Sequence, residues 1–92
     1  MKLSNKISVK NMQSDNYNLV PNQFIIYYHD KKVFQSYNTL IAYYDNKGLV
    51  LDKYATEYSR TTSKYLRQFT GMYTAEMREG IKDGTIRTKE LN

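Results

Sequence analysis

The sequence predicts an α+β domain in which a small antiparallel meander of three to five strands packs against one long C-terminal amphipathic helix. Two stretches carry that expectation. Between residues 23 and 52, short β-branched and aromatic runs alternate with turn residues, and from Ser59 onward apolar side chains recur at helical spacing. Length supplies the third constraint, because 92 residues make a single small domain with one core, burying ~60–65% of the surface its unfolded chain exposes.

Residues 6–10 read as a short first strand. The tract that follows, residues 11–22, is polar, rich in Asn and holds the only proline, Pro21, so it reads as loop. Phe24-Ile25-Ile26-Tyr27-Tyr28 is β-branched and aromatic, His29-Asp30-Lys31-Lys32 is a polar turn, and residues 33–37 resume the extended pattern, which makes a hairpin. Residues 39–44 form the next strand. Asp45-Asn46-Lys47-Gly48 then supplies the Asn and Gly that a tight hairpin needs, and residues 49–51 return. Strict alternation would place Leu40, Ala42 and Tyr44 on one face and Ile41 and Tyr43 on the other. Neither face is polar, so one meets the helix and the other stays aromatic and partly wet.

The helix starts among Ser59, Thr61 and Thr62, any of which offers a hydroxyl to the unpaired amides of a first turn. Propagating ~100° per residue from Thr61, the residues Leu66, Phe69, Tyr73, Met77 and Gly80 fall within about ±40° of one direction. Arg60, Lys64, Arg67, Arg78 and Lys82 gather around the opposite direction. This describes one helix of about six turns over residues 59–84, with Gly84 at a left-handed cap and Lys82 well placed in the last turn. Gly71 costs ~1 kcal/mol relative to Ala, so a break near residues 71–74, with Thr74 capping a second helix, is the alternative. Residues 85–92 form a tail or a short strand.

Composition excludes several classes of function. With no cysteine there is no disulfide and no thiolate metal site, which fits a cytoplasmic location. No apolar run approaches the ~18–20 residues that span a bilayer, and Met1-Lys2-Leu3-Ser4-Asn5-Lys6 leads into polar residues, so neither a membrane nor a secretory signal is expected. His29 is the only histidine and reads as a turn residue beside Asp30. Without a second histidine, zinc chemistry has no ligand set. The carboxylates Asp45, Asp52, Glu57, Glu76 and Glu79 are scattered, the glycines are isolated, and helix capping accounts for the hydroxyls of Ser59-Arg60-Thr61-Thr62-Ser63. The chain is expected to be neither an enzyme nor a cofactor carrier.

What remains is binding. A formal charge of +5 points to an acidic partner, and ten tyrosines against three phenylalanines put many large rings at the core boundary, where they make good contact residues. Arg60, Lys64, Arg67, Arg78 and Lys82, spread along ~30 Å of helix, match a phosphate backbone or an acidic protein ridge, with Tyr43 and Tyr44 (or Tyr27) as anchors. The plain alternative is the solvated face that any amphipathic helix must have. The aromatic second sheet face is a candidate homodimer interface.

Ser36-Tyr37-Asn38-Thr39-Leu40-Ile41-Ala42 and Tyr58-Ser59-Arg60-Thr61-Thr62-Ser63-Lys64-Tyr65-Leu66-Arg67-Gln68-Phe69 resemble a family of small uncharacterised proteins encoded by bacteriophages and plasmids, a domain of unknown function. The likeness continues weakly through residues 81–86 and does not touch residues 1–22. It implies a mobile-element origin and a non-enzymatic accessory role. By analogy with anti-CRISPR inhibitors, the expected partner is a host protein or ribonucleoprotein complex that processes nucleic acid or serves in defence. Direct binding of DNA or RNA by the same basic face is the competing expectation.

Overall fold

The computed structural model describes residues 7–92, so Lys2 and Lys6, the latter expected to open the first strand, lie outside the described residues. The fold is α+β, but the sheet is larger than expected. Six strands lie side by side in chain order: β1 (Ile7–Gln13), β2 (Leu19–Tyr28), β3 (Lys31–Ser36), β4 (Thr39–Asp45), β5 (Gly48–Asp52) and β6 (Arg87–Lys89). The first five form an antiparallel meander, and β6 pairs parallel to β5 after two helices, α1 (Arg60–Thr70) and α2 (Thr74–Asp83).

The turns follow their residues. Gly48, at φ +114, closes the β4–β5 hairpin, and the Asp45 carboxylate accepts the Lys47 amide at 2.8 Å. The tract expected as a loop over residues 11–22 is mostly strand. Its turn occupies only residues 14–18, closed by hydrogen bonds from Ser14 N to Asn18 O and from Tyr17 N to Ser14 O, both 2.9 Å. Pro21 is accommodated because the register jumps from Asn11↔Phe24 to Gln13↔Leu19, leaving the strand stretch around the proline without ladder partners on β1.

A bulge overturns the expected alternation in β4. Phe34 faces Ala42 while Gln35 faces Leu40, so Ile41 is an extra residue, and Ile41 (1% exposed) and Ala42 (0%) are buried side by side. The helix-facing row runs Ile25, Phe34, Ala42, Leu51, and the helices lie over it. Phe34 and Tyr44 meet Phe69 at ring separations of 5.7 and 5.4 Å, and the hydroxyls of Ser36 and Thr62 join at 2.9 Å.

The single long helix over residues 59–84 is not formed; the chain takes the broken alternative. Ser59 caps α1 by accepting the Thr62 amide at 3.3 Å. Gly71, at φ +71, ends it in the left-handed region, donating its N–H to Arg67 O at 2.7 Å. The second helix is not capped by Thr74, which is its first residue; the Glu76 carboxylate instead reaches back to accept the Tyr73 amide at 3.0 Å. Leu66, Phe69, Met77 and Gly80 are buried as the helical period predicts. Tyr73 is not: the break turns it out of the core, 63% exposed.

After Gly84, residues 85–92 form β6 and then a tail that ties back to the sheet. The buried Asp52 carboxylate accepts the Leu91 amide at 3.0 Å, while the Asn92 side chain both accepts from Leu40 N at 2.8 Å and donates to Leu40 O at 2.9 Å.

Candidate anion-binding surface on α1

The surface follows from how α1 is buried. Thr62, Tyr65, Leu66 and Phe69 turn inward, which leaves Arg60, Lys64 and Arg67, spaced four and three apart, on the solvent side. Those three cations form a ridge about 10 Å long. Among the described residues the ion pairs are Lys53–Glu90 at 3.2 Å and Arg87–Asp45 at 2.6 Å, so the ridge carries no paired carboxylate.

Hollows flank the ridge on both sides. One, of about 610 Å³, lies between α1 and the β1–β2 turn and is walled by Asp15, Tyr17, Lys64, Arg67, Met72 and Tyr73. Gln68 holds that turn against the helix by donating to Gln13 O at 3.0 Å. Tyr17 stands 82% exposed at φ +62, and the Arg67 guanidinium sits 4.8 Å from the centre of the Tyr73 ring. The other hollow, about 580 Å³, is lined by Tyr58, Arg60, Lys64, Arg67 and Thr74. Lys64 and Arg67 therefore serve both. A strand of negative charge could cross the ridge while planar groups rest against Tyr17 and Tyr73.

The expected site residues do not converge as one stripe. Arg60, Lys64 and Arg67 come together. Arg78 lies on α2, one turn beyond Thr74, with its guanidinium 3.5 Å from Thr56 O, and it lines neither hollow. Lys82 is exposed in the last turn of α2 and lines neither hollow. Tyr43 and Tyr44 point to opposite faces of the sheet: Tyr43 lies under the Lys31 ammonium at 4.9 Å, whereas Tyr44 packs on Phe69 and donates its hydroxyl to Thr70 O at 3.3 Å. Burial pushes the Tyr44 phenol up from its ordinary value, in keeping with a structural ring. Tyr27 is partnered by Lys10, 5.9 Å from its ring, on β1–β2.

Tyr17, Met72 and Tyr73 belong to the surface and escaped the sequence reading. Carrying the helical angle through Gly71 places Tyr73 in the core; restarting the count after the glycine removes it from that face. Tyr17 did leave a signal, as a lone aromatic flanked by Asn16 and Asn18 in a polar tract.

Comparison with curated proteins and with solved structures finds no match. The match that does cover the chain runs over residues 7–85, from β1 through both helices and the whole α1 ridge, and on it the protein belongs to a family of unknown function, DUF8033.

Proposed function

We propose that this is a non-enzymatic binding protein, and that the α1 ridge holds an exposed, single-stranded stretch of nucleic acid. One observation carries the reading: Arg60, Lys64 and Arg67 share a face without paired carboxylates, and the exposed rings of Tyr17 and Tyr73 rim the hollow beside them. Guanidinium forks suit phosphate oxygens, and tyrosine faces suit unpaired bases. Fluorescence anisotropy of a labelled oligonucleotide across a salt series tests it. Engagement of three phosphates gives a slope of about −2 in log affinity against log salt, and each single substitution R60A, K64A or R67A removes about 0.7 of it. Tyr73→Ala weakens binding roughly 5- to 100-fold at unchanged slope. Salt-independent binding, or binding intact in the triple variant, overturns the proposal.

A second reading rests on the hollow itself. Its Met72 and Tyr73 walls offer an apolar, aromatic recess beside two cations, the kind of place where a protein partner seats an anchor side chain. On this reading, together with the resemblance to phage and plasmid proteins, the chain is a mobile-element product that docks on a host nucleic-acid-processing or defence complex in the cytoplasm and inhibits it, as anti-CRISPR proteins do. A pull-down from host cytosol with and without nuclease separates the two. A host protein retained after nuclease treatment supports the inhibitor, whereas loss of every partner supports the nucleic-acid reading.

A further inference from the structure

One wall of the larger hollow carries a group that the basic ridge does not explain. Asp15, in the turn over residues 14–18, lines that hollow together with Tyr17 and Tyr73, opposite in sign to Lys64 and Arg67 on the same walls. The turn is closed without its side chain, by the backbone hydrogen bonds from Ser14 N to Asn18 O and from Tyr17 N to Ser14 O, both 2.9 Å. Nor does a cation hold the carboxylate, since the ion pairs among the described residues are Lys53–Glu90 and Arg87–Asp45. At about 610 Å³ the hollow has the size of a small-ligand site, and it combines two exposed rings, two cations and an unpaired acceptor.

We infer, resting on the single-stranded ligand proposed for the ridge, that this carboxylate makes the hollow selective for guanine. A carboxylate only accepts hydrogen bonds, through two oxygens side by side. Among the bases guanine presents two adjacent donors, N1–H and the N2 amino group, on its Watson–Crick edge, so the two groups meet as a parallel, charge-assisted pair. Adenine and cytosine set one amino donor beside a ring-nitrogen acceptor, and thymine or uracil sets one N–H between two carbonyl oxygens. In each of these a carboxylate oxygen meets a lone pair. A ligand that is only anionic would meet Asp15 as a like charge, whereas a base with two donors meets it as a complement. The neighbours suit the rest of the nucleotide. The Arg67 guanidinium covers one face of Tyr73 at 4.8 Å, and that ring and Tyr17 are exposed enough to stack on a base. Lys64 and Arg67, lining the same hollow, are placed for the phosphate attached to it.

Fluorescence anisotropy on oligothymidine strands that differ in one central base tests the assignment. Guanine there should raise affinity about 5- to 100-fold over thymine, adenine or cytosine at an unchanged salt slope, and hypoxanthine, which lacks the N2 amino group, should fall between. Asp15→Asn sets an N–H against one of guanine's donors, so the guanine strand should drop to the level of the others. The melting curve should stay that of wild type, because the turn keeps its backbone bonds. Arg60 lines the other hollow, so Arg60→Ala should weaken every strand and keep the guanine ratio. Guanosine monophosphate brings the base with a single phosphate and should compete weakly; competition as strong as the strand's would keep guanine in the hollow and overturn the strand as its source. Salt-dependent binding without a base preference, or a preference that survives Asp15→Asn, overturns the guanine assignment and leaves the ridge standing. Absence of salt-dependent binding to any strand overturns both.

Discussion

Gly71→Ala decides between the two helical arrangements by the sign of its effect. In the structure Gly71 has φ +71, and a Cβ there meets no atom within 4 Å, so the cost of alanine is conformational and not steric. A left-handed L-residue costs ~1–2 kcal/mol, while replacing glycine returns ~0.4–1 kcal/mol by stiffening the unfolded chain. The net is a loss of about 0.5–1 kcal/mol, or a fall in Tm of about 2–8 °C for a domain of this size. Were residues 59–84 one continuous helix, the same substitution would sit in a helix interior and add ~1 kcal/mol. Thermal melting followed by far-ultraviolet circular dichroism reads both quantities. A variant that is more stable and more helical than wild type would refute the break at Gly71, and with it the exposure of Tyr73 and the hollow it walls.

Gln23 is fully buried on β2 and, among the described residues, neither amide atom of its side chain has a hydrogen-bond partner. The near-isosteric Gln23→Met should therefore raise stability by about 1–3 kcal/mol in urea unfolding, and a loss of stability would show that the amide is satisfied. At Asp52, burial alone would raise the carboxyl's pKa, but the Leu91 amide, the Tyr58 hydroxyl and the Tyr54 amide outweigh it and hold the group below its ordinary value of 3.8. The stability this contributes is complete above pH ~4 and is lost as pH falls through the folded value, so Asp52→Asn should flatten the acid limb of the stability profile. The same contact works in reverse at alkaline pH. Burial, then the hydrogen bond to Asp52, push the Tyr58 phenol from 10.0 up to about 12, so stability should fall as pH rises through that interval, and Tyr58→Phe should abolish that fall.

The parts legible in the sequence were those with buried periodicity. Leu66, Phe69, Met77 and Gly80 recur at helical spacing because the core lies against them, and the Asp45–Gly48 hairpin was legible because its turn needs a residue at positive φ. The edge strands were legible only in part. The alternation of Ile7 and Val9 with Ser8 and Lys10 marks the start of β1 but gives no sign that it runs on to Gln13, and β6, the three residues Arg87, Thr88 and Lys89, is too short and polar for periodicity to tell a strand from a tail. The β4 bulge at Ile41 was equally hidden, since one inserted residue leaves no mark in composition. Of the seven expected site residues, the three that converge lie within two turns of a single helix; those that scattered were linked to them only by extrapolating through Gly71 or by assuming one usable sheet face.

The glycine break also sets the form of the candidate site. A straight six-turn rod would have spread the cations along ~30 Å and kept Tyr73 against the sheet. Ending α1 at Gly71 confines Arg60, Lys64 and Arg67 to about 10 Å and swings Tyr73 to within 4.8 Å of the Arg67 guanidinium, so one residue with φ +71 converts a dispersed charge stripe into a compact basic and aromatic surface. Separation of the layers does the rest. Arg60, Lys64 and Arg67, which lack carboxylate partners, stand on α1, while Arg87 pairs with Asp45 on the other face of the sheet, and the core lies between them. That separation keeps the three α1 cations away from the paired Arg87 and Asp45, which is the arrangement the proposed anion contact requires.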